Sequence, residues 1–408
     1  VVVGAGQTIL RYRGDGVLDR GFGHSGQARL EMVPGTQLDP VDIAVDSRSR
    51  VLIAATTSMA PTVQCASPGL PLAGQEFRPA SLTVIRLTSH GQLDPSFGRD
   101  GVVSTDFDFP RPTGNNGTLV CDASSVQATG LAVDSQDRPV LTGTYVKEPG
   151  ACKAGYPMSG FHQAFVARLT VDGLPDPAFH GTGVRVDADL LGADEPAIGA
   201  GNNLTYGGTM GAECTPFNGY AYFAVGRLGA DGNPSPGFGP AGLKGIGAPL
   251  PFEGPSADFF FSGPIAVDNS GDILLLQERA NPPATRVVRL NSNGDPDPRF
   301  GHRGNAAVQT GSRTAIDLIE ADDQGRVVLA GSHADRQFAL LRLHANGARD
   351  RHFGSRGVAL TGFGSSAEAS SEQLLIDGHD RILLGGTIAT RRFPTGIGFG
   401  LARYTSGH

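Results

Sequence analysis

Four carboxylates, Asp42, Glu195, Asp317 and Glu372, stand near the start of recurrent short apolar segments. Carboxylate oxygens that converge from several segments can ligate a hard divalent cation such as calcium, or polarise a bound substrate. On the rim of a solvated opening they would do neither, and that is the more ordinary role of such residues. Cys65, Cys121, Cys152 and Cys214 form a second chemistry-bearing set. None belongs to a CxxC pair, and no Cys/His cluster has zinc spacing. Their even number suggests disulfides, with free buried thiols as the alternative.

Catalytic signatures are otherwise missing. There is no GxSxG elbow, no HExxH and no EF-hand loop. The ten histidines are scattered, and the chain has no tryptophan. These absences weigh against an enzyme and name no catalytic residue. Residues 21–26 and 237–242 match GxGxxG, but no βαβ pattern surrounds them, so they read as turns. Arg13-Gly14-Asp15 likewise occupies a turn slot. A net charge of -7 and a pI near 5.8 argue against a nucleic-acid partner. No apolar run reaches the roughly 18 residues a membrane span needs. The chain opens at Val1 with no signal-peptide pattern, which fits a leader already removed.

The elements that would position these residues are repeats. With 39% hydrophobic and 18% charged residues the chain is not disordered by composition, while 59 glycines and 28 prolines punctuate it too often for long helices. One pattern, roughly F-x-x-x-R-L-x-x-x-G-x-x-D-x-x-F-G-x-x-G, recurs at 9–26, 84–101, 165–183, 223–242, 287–304 and 338–357, with a truncated copy from Phe399. A second, roughly A-V-D-x-x-x-R-hydrophobic-L-x-G, alternates with it: IAVDSRSRVLIAA from Ile43, LAVDSQDRPVLTGT from Leu131, IAVDNSGDILLL from Ile265, LIEADDQGRVVLAG from Leu318 and LLIDGHDRILLGGT from Leu374. Short apolar runs bounded by Gly, Asp, Asn or Pro are strand-and-turn grammar. Strand A ends in AVD, strand B is the R-hydrophobic-L run, strand C is F-x-x-x-R-L, and strand D follows F-G-x-x-G. Four strands per unit, repeated about six times, predict a single all-β domain over 1–408, a six-bladed β-propeller of four-stranded antiparallel blades. The N-terminal D strand is expected to complete the last blade, leaving one C strand over as an edge for self-association. Seven blades is the alternative.

The LDPSFGRDG and AVDSQDR elements resemble the bacterial delta-60 repeat, a propeller-type repeat of secreted or surface proteins. The double glycines Gly207-Gly208 and Gly385-Gly386 are similar to the Kelch layout. The resemblance implies a fold and carries no catalytic residues with it.

Strands alternate in direction, so A–B and C–D connections share one face of the ring, and B–C and D–A connections share the other. The second face receives every long insertion, at 57–81, 106–125, 147–162 and 211–219. All four cysteines fall there, in adjacent blades, which suggests Cys65–Cys121 and Cys152–Cys214 bridges and an oxidising location: extracellular, cell-surface or periplasmic. Within each repeat, Arg86, Arg168, Arg227, Arg289 and Arg342 are read as partners of nearby aspartates, and Phe97, Phe179, Phe238, Phe300 and Phe353 as plugs between blades. The leading expectation is a secreted binding scaffold that offers its variable face to a protein or glycan. The alternatives are a metal-dependent propeller hydrolase or lyase working at the channel mouth, and a self-assembling filament or coat subunit.

Overall fold

The inner strands of the repeats stand side by side around a central axis, each starting a meander that runs outward A-B-C-D. The computed structural model describes residues 2–405 except 6, 31–35, 60–62, 65–75, 78–79, 106, 108–125, 148–160, 188, 212–219, 252–259, 281–282, 310–312, 335, 365–367, 378 and 390–396. Blade 1 is Thr36–Val45, Val51–Met59, Ala80–Leu87 and Val102–Thr105. Blades 2, 4 and 5 repeat this order from Val126–Val133, Phe260–Val267 and Thr314–Ala321. In blade 3 the inner strand is split into Leu190–Ala193 and Ala197–Ile198, both paired to Leu204–Gly211. Blade 6 has Glu368–Ile376, Ile382–Ala389 and Ile397–Tyr404. Counted by inner strands, this is the expected six-bladed all-β propeller.

Its closure differs from expectation. The strand Gln27–Arg29 pairs with Thr8–Arg11 and not with Ile397–Tyr404. The reason lies in the first residues: Val2–Ala5 pairs with Thr8–Arg11 in B-to-C register, Val2 opposite Arg11 as Leu52 is opposite Arg86. The N-terminal segment therefore forms its own B-C-D sheet, and no C strand is left unpaired. This sheet is a closing sector of the ring between blade 6 and blade 1, without an inner strand among the described residues.

The core lies between sheets. Val51, Ile53 and Ala55 face the N-terminal sheet, while Leu52 and Ala54 face blade 2. Because both faces of strand B are covered, it reads as a continuous apolar run. Phe97, Phe179, Phe238, Phe300 and Phe353 are all buried in these seams. The arginine of strand C lies over such a ring, Arg86 at 4.5 Å from the Phe97 centroid and Arg342 at 4.6 Å from that of Phe353. Arg86, Arg168 and Arg342 each donate from Nε to Asp94, Asp176 and Asp350 at 2.8 Å. The Nη1 groups of four strand-C arginines reach into the next sheet: Arg86 to the carbonyl of Val171, Arg168 to Ala230, Arg227 to Ser292 and Arg289 to Ala345. A charge buried in this way needs such partners.

On the A–B face the turns are self-bonded and cross-linked. Asp46 Oδ1 accepts from the amides of Arg48 and Arg50, and its Oδ2 accepts from Arg50 Nε at 2.6 Å. Ser47 donates to Asp137 in the next blade, the Ser135 amide to Asn202, and Asn269 to Asp323. The opposite face receives the long connections, such as those between Met59 and Ala80, Thr105 and Val126, and Lys147 and Phe161.

Candidate functional site in the central channel

Every inner strand is irregular at one level, where the alternation of side chains between the two faces of the sheet breaks. The register to strand B slips between Pro40 and Asp42, Ala128 and Gly130, Leu190 and Ala193, Ser262 and Ile265, Ile316 and Leu318, and Ser371 and Gln373. A bulge adds an unpaired residue and bends the strand. Strand B makes room with glycine: a Cβ on Gly143, Gly331 or Gly386 would stand 2.1, 1.9 or 2.0 Å from the carbonyl oxygen of Gln127, Ala315 or Ser370. The second glycine of the Gly385-Gly386 pair thus has a local cause.

Asp317 and Glu372 are the bulge residues of blades 5 and 6, and both are exposed. Asp42 and Glu195 stand one position further along, in blades 1 and 3. Asp42 is buried and already bonded: Oδ1 accepts from the Ile43 amide at 2.7 Å, and Oδ2 from the Leu131 amide of blade 2 at 2.8 Å. Burial, helped by the negative charge of Glu195, pushes its carboxyl up to about 7 despite those two bonds. Glu195 is open to water yet hemmed in by the surrounding strands, and that enclosure raises its pKa too. A narrow solvated channel reconciles the two observations.

Two further acids complete the set. Glu320, two residues before the A–B turn aspartate Asp322, is pushed up to about 7 by burial and by the charge of Glu195, against a bond from the Ala321 amide. Glu278 on strand B accepts from the Ile316 amide of blade 5; burial and then Asp317 raise its pKa. Burial raises Asp317 itself. Sequence reasoning missed Glu320 and Glu278, although each breaks its repeat. Glu320 stands where IAVD and LAVD have alanine, and Glu278 where other blades have Thr56, Thr144, Thr209, Ser332 and Thr387.

The structure thus brings Glu195 within electrostatic reach of both Asp42 and Glu320, and Asp317 within reach of Glu278. Glu372 takes no part in either group. Among the described residues, no three His, Cys, Asp or Glu side chains stand close enough to hold a metal ion. What the channel offers chemically is carboxyl groups that exchange protons near neutrality. The cysteines Cys65, Cys121, Cys152 and Cys214 lie outside the described residues.

The ring of outward-running meanders defines the class: a β-propeller built from sequence repeats. Within it, residues 277–300 match the family described as a domain of unknown function (DUF5122) beta-propeller. No curated protein matches the sequence. Among solved structures, the chain is similar to polysaccharide lyase Uly1, with 8% identity, 95% of this chain and 86% of that chain covered, and a TM-score of 0.45. It is also similar to a Hadza microbial sialidase, Hz136, with 11% identity and a TM-score of 0.44. That likeness covers 90% of this chain, which spans 66% of the sialidase's length. A putative gluconolactonase shares 12% identity over 90% of this chain and 88% of its own, with a TM-score of 0.35. No helix among the described residues is long and apolar enough to cross a membrane.

Proposed function

We propose that the protein is a propeller binding module that takes a protein or glycan partner on the face carrying its B–C and D–A connections. The observation that carries this reading is the asymmetry of the two faces. One is closed by short, cross-bonded turns, and the other receives all the long insertions on a rigid frame. Binding loops held by a rigid scaffold are the usual arrangement for recognition. Cys65–Cys121 and Cys152–Cys214 bridges would restrain those insertions and place the protein in an extracellular, surface or periplasmic setting. The test is to shorten the connection 60–79 or 148–160 and measure partner capture on glycan and protein arrays. Retained capture in both variants sinks the reading.

A second reading rests on the channel. Asp42 and Glu320, both pushed up to about 7, would suit general acid–base chemistry on a polar substrate entering the axis. Substrate turnover abolished by Glu320→Gln, with loop-borne binding intact, would favour it over a pure binding role.

A further inference from the structure

The seam between blade 6 and the closing sector has an edge of a kind that the other blades cover. In blades 1 to 5 strand C is paired on both sides, with strand B inward and strand D outward. Ile397–Tyr404 of blade 6 pairs with Ile382–Ala389, and among the described residues no strand lies along its outer edge. Its side chains register the difference. Leu401 is half-buried, whereas Val84, Val166, Val225, Val287 and Leu340, each likewise two residues before the strand C arginine, are 0% exposed. Arg403 stands opposite Leu383 as Arg86 stands opposite Leu52. The amides of Arg86, Arg168 and Arg289 donate outward to the carbonyls of Gly101, Gly183 and Gly304, just before strand D. The same register turns the amides of Leu401 and Arg403 outward, where no carbonyl among the described residues meets them. Such a row is a template for one more strand.

The repeat itself specifies what fits there. The closing sector supplies strands B, C and D, and among the described residues it has no strand A. The two open positions, D of blade 6 and A of the closing sector, are successive. Elsewhere one continuous segment fills such a pair: Val184–Asp187 with Leu190–Ala193, Asn305–Val308 with Thr314–Ala321, and Val358–Gly362 with Glu368–Ile376. The turn before strand D also brings a carboxylate and a phenylalanine to the strand C arginine. Arg342 Nε donates to Asp350 at 2.8 Å, and its guanidinium lies over the Phe353 ring. Arg403 is exposed, bonds the Gly14 carbonyl and makes no ion pair among the described residues. Its charge therefore complements an Asp-x-x-Phe-Gly donor. The D–A segments of the described chain are already seated between their own blades, so a second copy could donate one only by unfolding a blade.

We propose that this seam is a strand-acceptor site. It takes one extended segment of a partner polypeptide that carries the repeat's own pattern, Asp-x-x-Phe-Gly-x-x-Gly followed by two apolar strands, by adding a strand to the open edge. The site is separate from the loop-bearing face and does not depend on binding there. The test uses the whole chain and a synthetic peptide of the sequence 350–377, which holds such a segment. The peptide is expected to bind one to one in calorimetry and to slow amide exchange at Leu401 and Arg403 at least about tenfold. A scrambled peptide should not bind. Arg403→Ala in the chain and, separately, Asp350→Ala in the peptide should each weaken binding about tenfold. Arg403→Ala should leave the melting temperature of the peptide-free chain within a few degrees. No binding of the 350–377 peptide, or equal binding of the scrambled one, overturns the site. Amides at Leu401 and Arg403 that exchange as slowly without peptide as those of Val84 and Arg86 also overturn it, because the edge is then already covered. If the peptide-free chain is a dimer with that edge protected, the occupant is a second copy and the partner assignment fails.

Discussion

Arg403 Nη1 donates to the carbonyl of Gly14, joining the last strand of the chain to the first C–D turn. It is the bond that Arg86 makes to Val171 and Arg168 to Ala230, used here to close the ring. The two settings differ in burial: Arg403 is exposed, and Arg86 is 1% exposed. Arg403→Ala should therefore cost about 1 kcal/mol or less. Arg86→Ala leaves the buried Asp94 with its Ser96 bonds and, 3.5 Å away, Arg50 as its remaining cation, and should cost about 3 kcal/mol. Urea unfolding of both variants checks the order; equal losses would mean the inter-sheet arginines do not work through burial.

Stability should depend on pH in two separate windows. The folded-state pKa values of Asp42 and Glu320 are raised, so between about pH 4 and 7 the folded protein holds protons that the unfolded chain releases. Stability then falls as pH rises through that window and levels off above about 7. Asp94 and Asp350 act the other way. Burial pushes them up, but the bonds from Ser96 and Arg86, and from Arg342 and His352, outweigh it and hold them low. Their contribution is lost only as pH falls below the ordinary carboxylate range. Glu320→Gln keeps an acceptor for the Ala321 amide and should stabilise the protein at pH 8 by about 1–3 kcal/mol. An unaltered melting curve at pH 8 with an unaltered upper slope would remove Glu320 from this role.

Much of this was legible in the sequence for a physical reason. Arg, Asp, Phe and Gly recur at fixed offsets because each blade solves the same burial problem, so Arg86–Asp94 and Phe97 could be read as structural before any coordinates. The closure was misread because VVVGAG shows no turn aspartate of the kind, Asp46, Asp134, Asp268, Asp322 and Asp377, that marks strand B in five blades. The channel acids were only half legible. Asp317 and Glu372 stand at bulges, and a bulge is a register slip between two strands that no single strand's pattern records. Nor does sequence reveal that Asp42 is held by an amide of the neighbouring blade.

The bulge itself makes a demand on strand B. Gly331→Ala would set a methyl 1.9 Å from the Ala315 carbonyl oxygen, whereas Gly245→Ala meets nothing within 4 Å. The first should cost about 1–3 kcal/mol and the second close to nothing. Thermal melts of the two variants compare them directly, and equal melting temperatures would show that the inner strand yields freely.

Thiol counting tests the proposed compartment. Denatured, unreduced protein purified from its native location should show no free thiols among its four cysteines. Peptide mapping should recover Cys65 with Cys121 and Cys152 with Cys214. Four reactive thiols would contradict both the bridges and the oxidising setting.

The most direct measurement is partner capture by face. Wild-type protein, the 60–79 and 148–160 deletions, and a control altered on the opposite face (Ser135→Ala with Asn269→Ala) would be compared on the same protein and glycan arrays. The binding-module account predicts that at least one deletion loses a specific wild-type partner while the control retains it. Partners lost only in the control, or retained by both deletions, would contradict it.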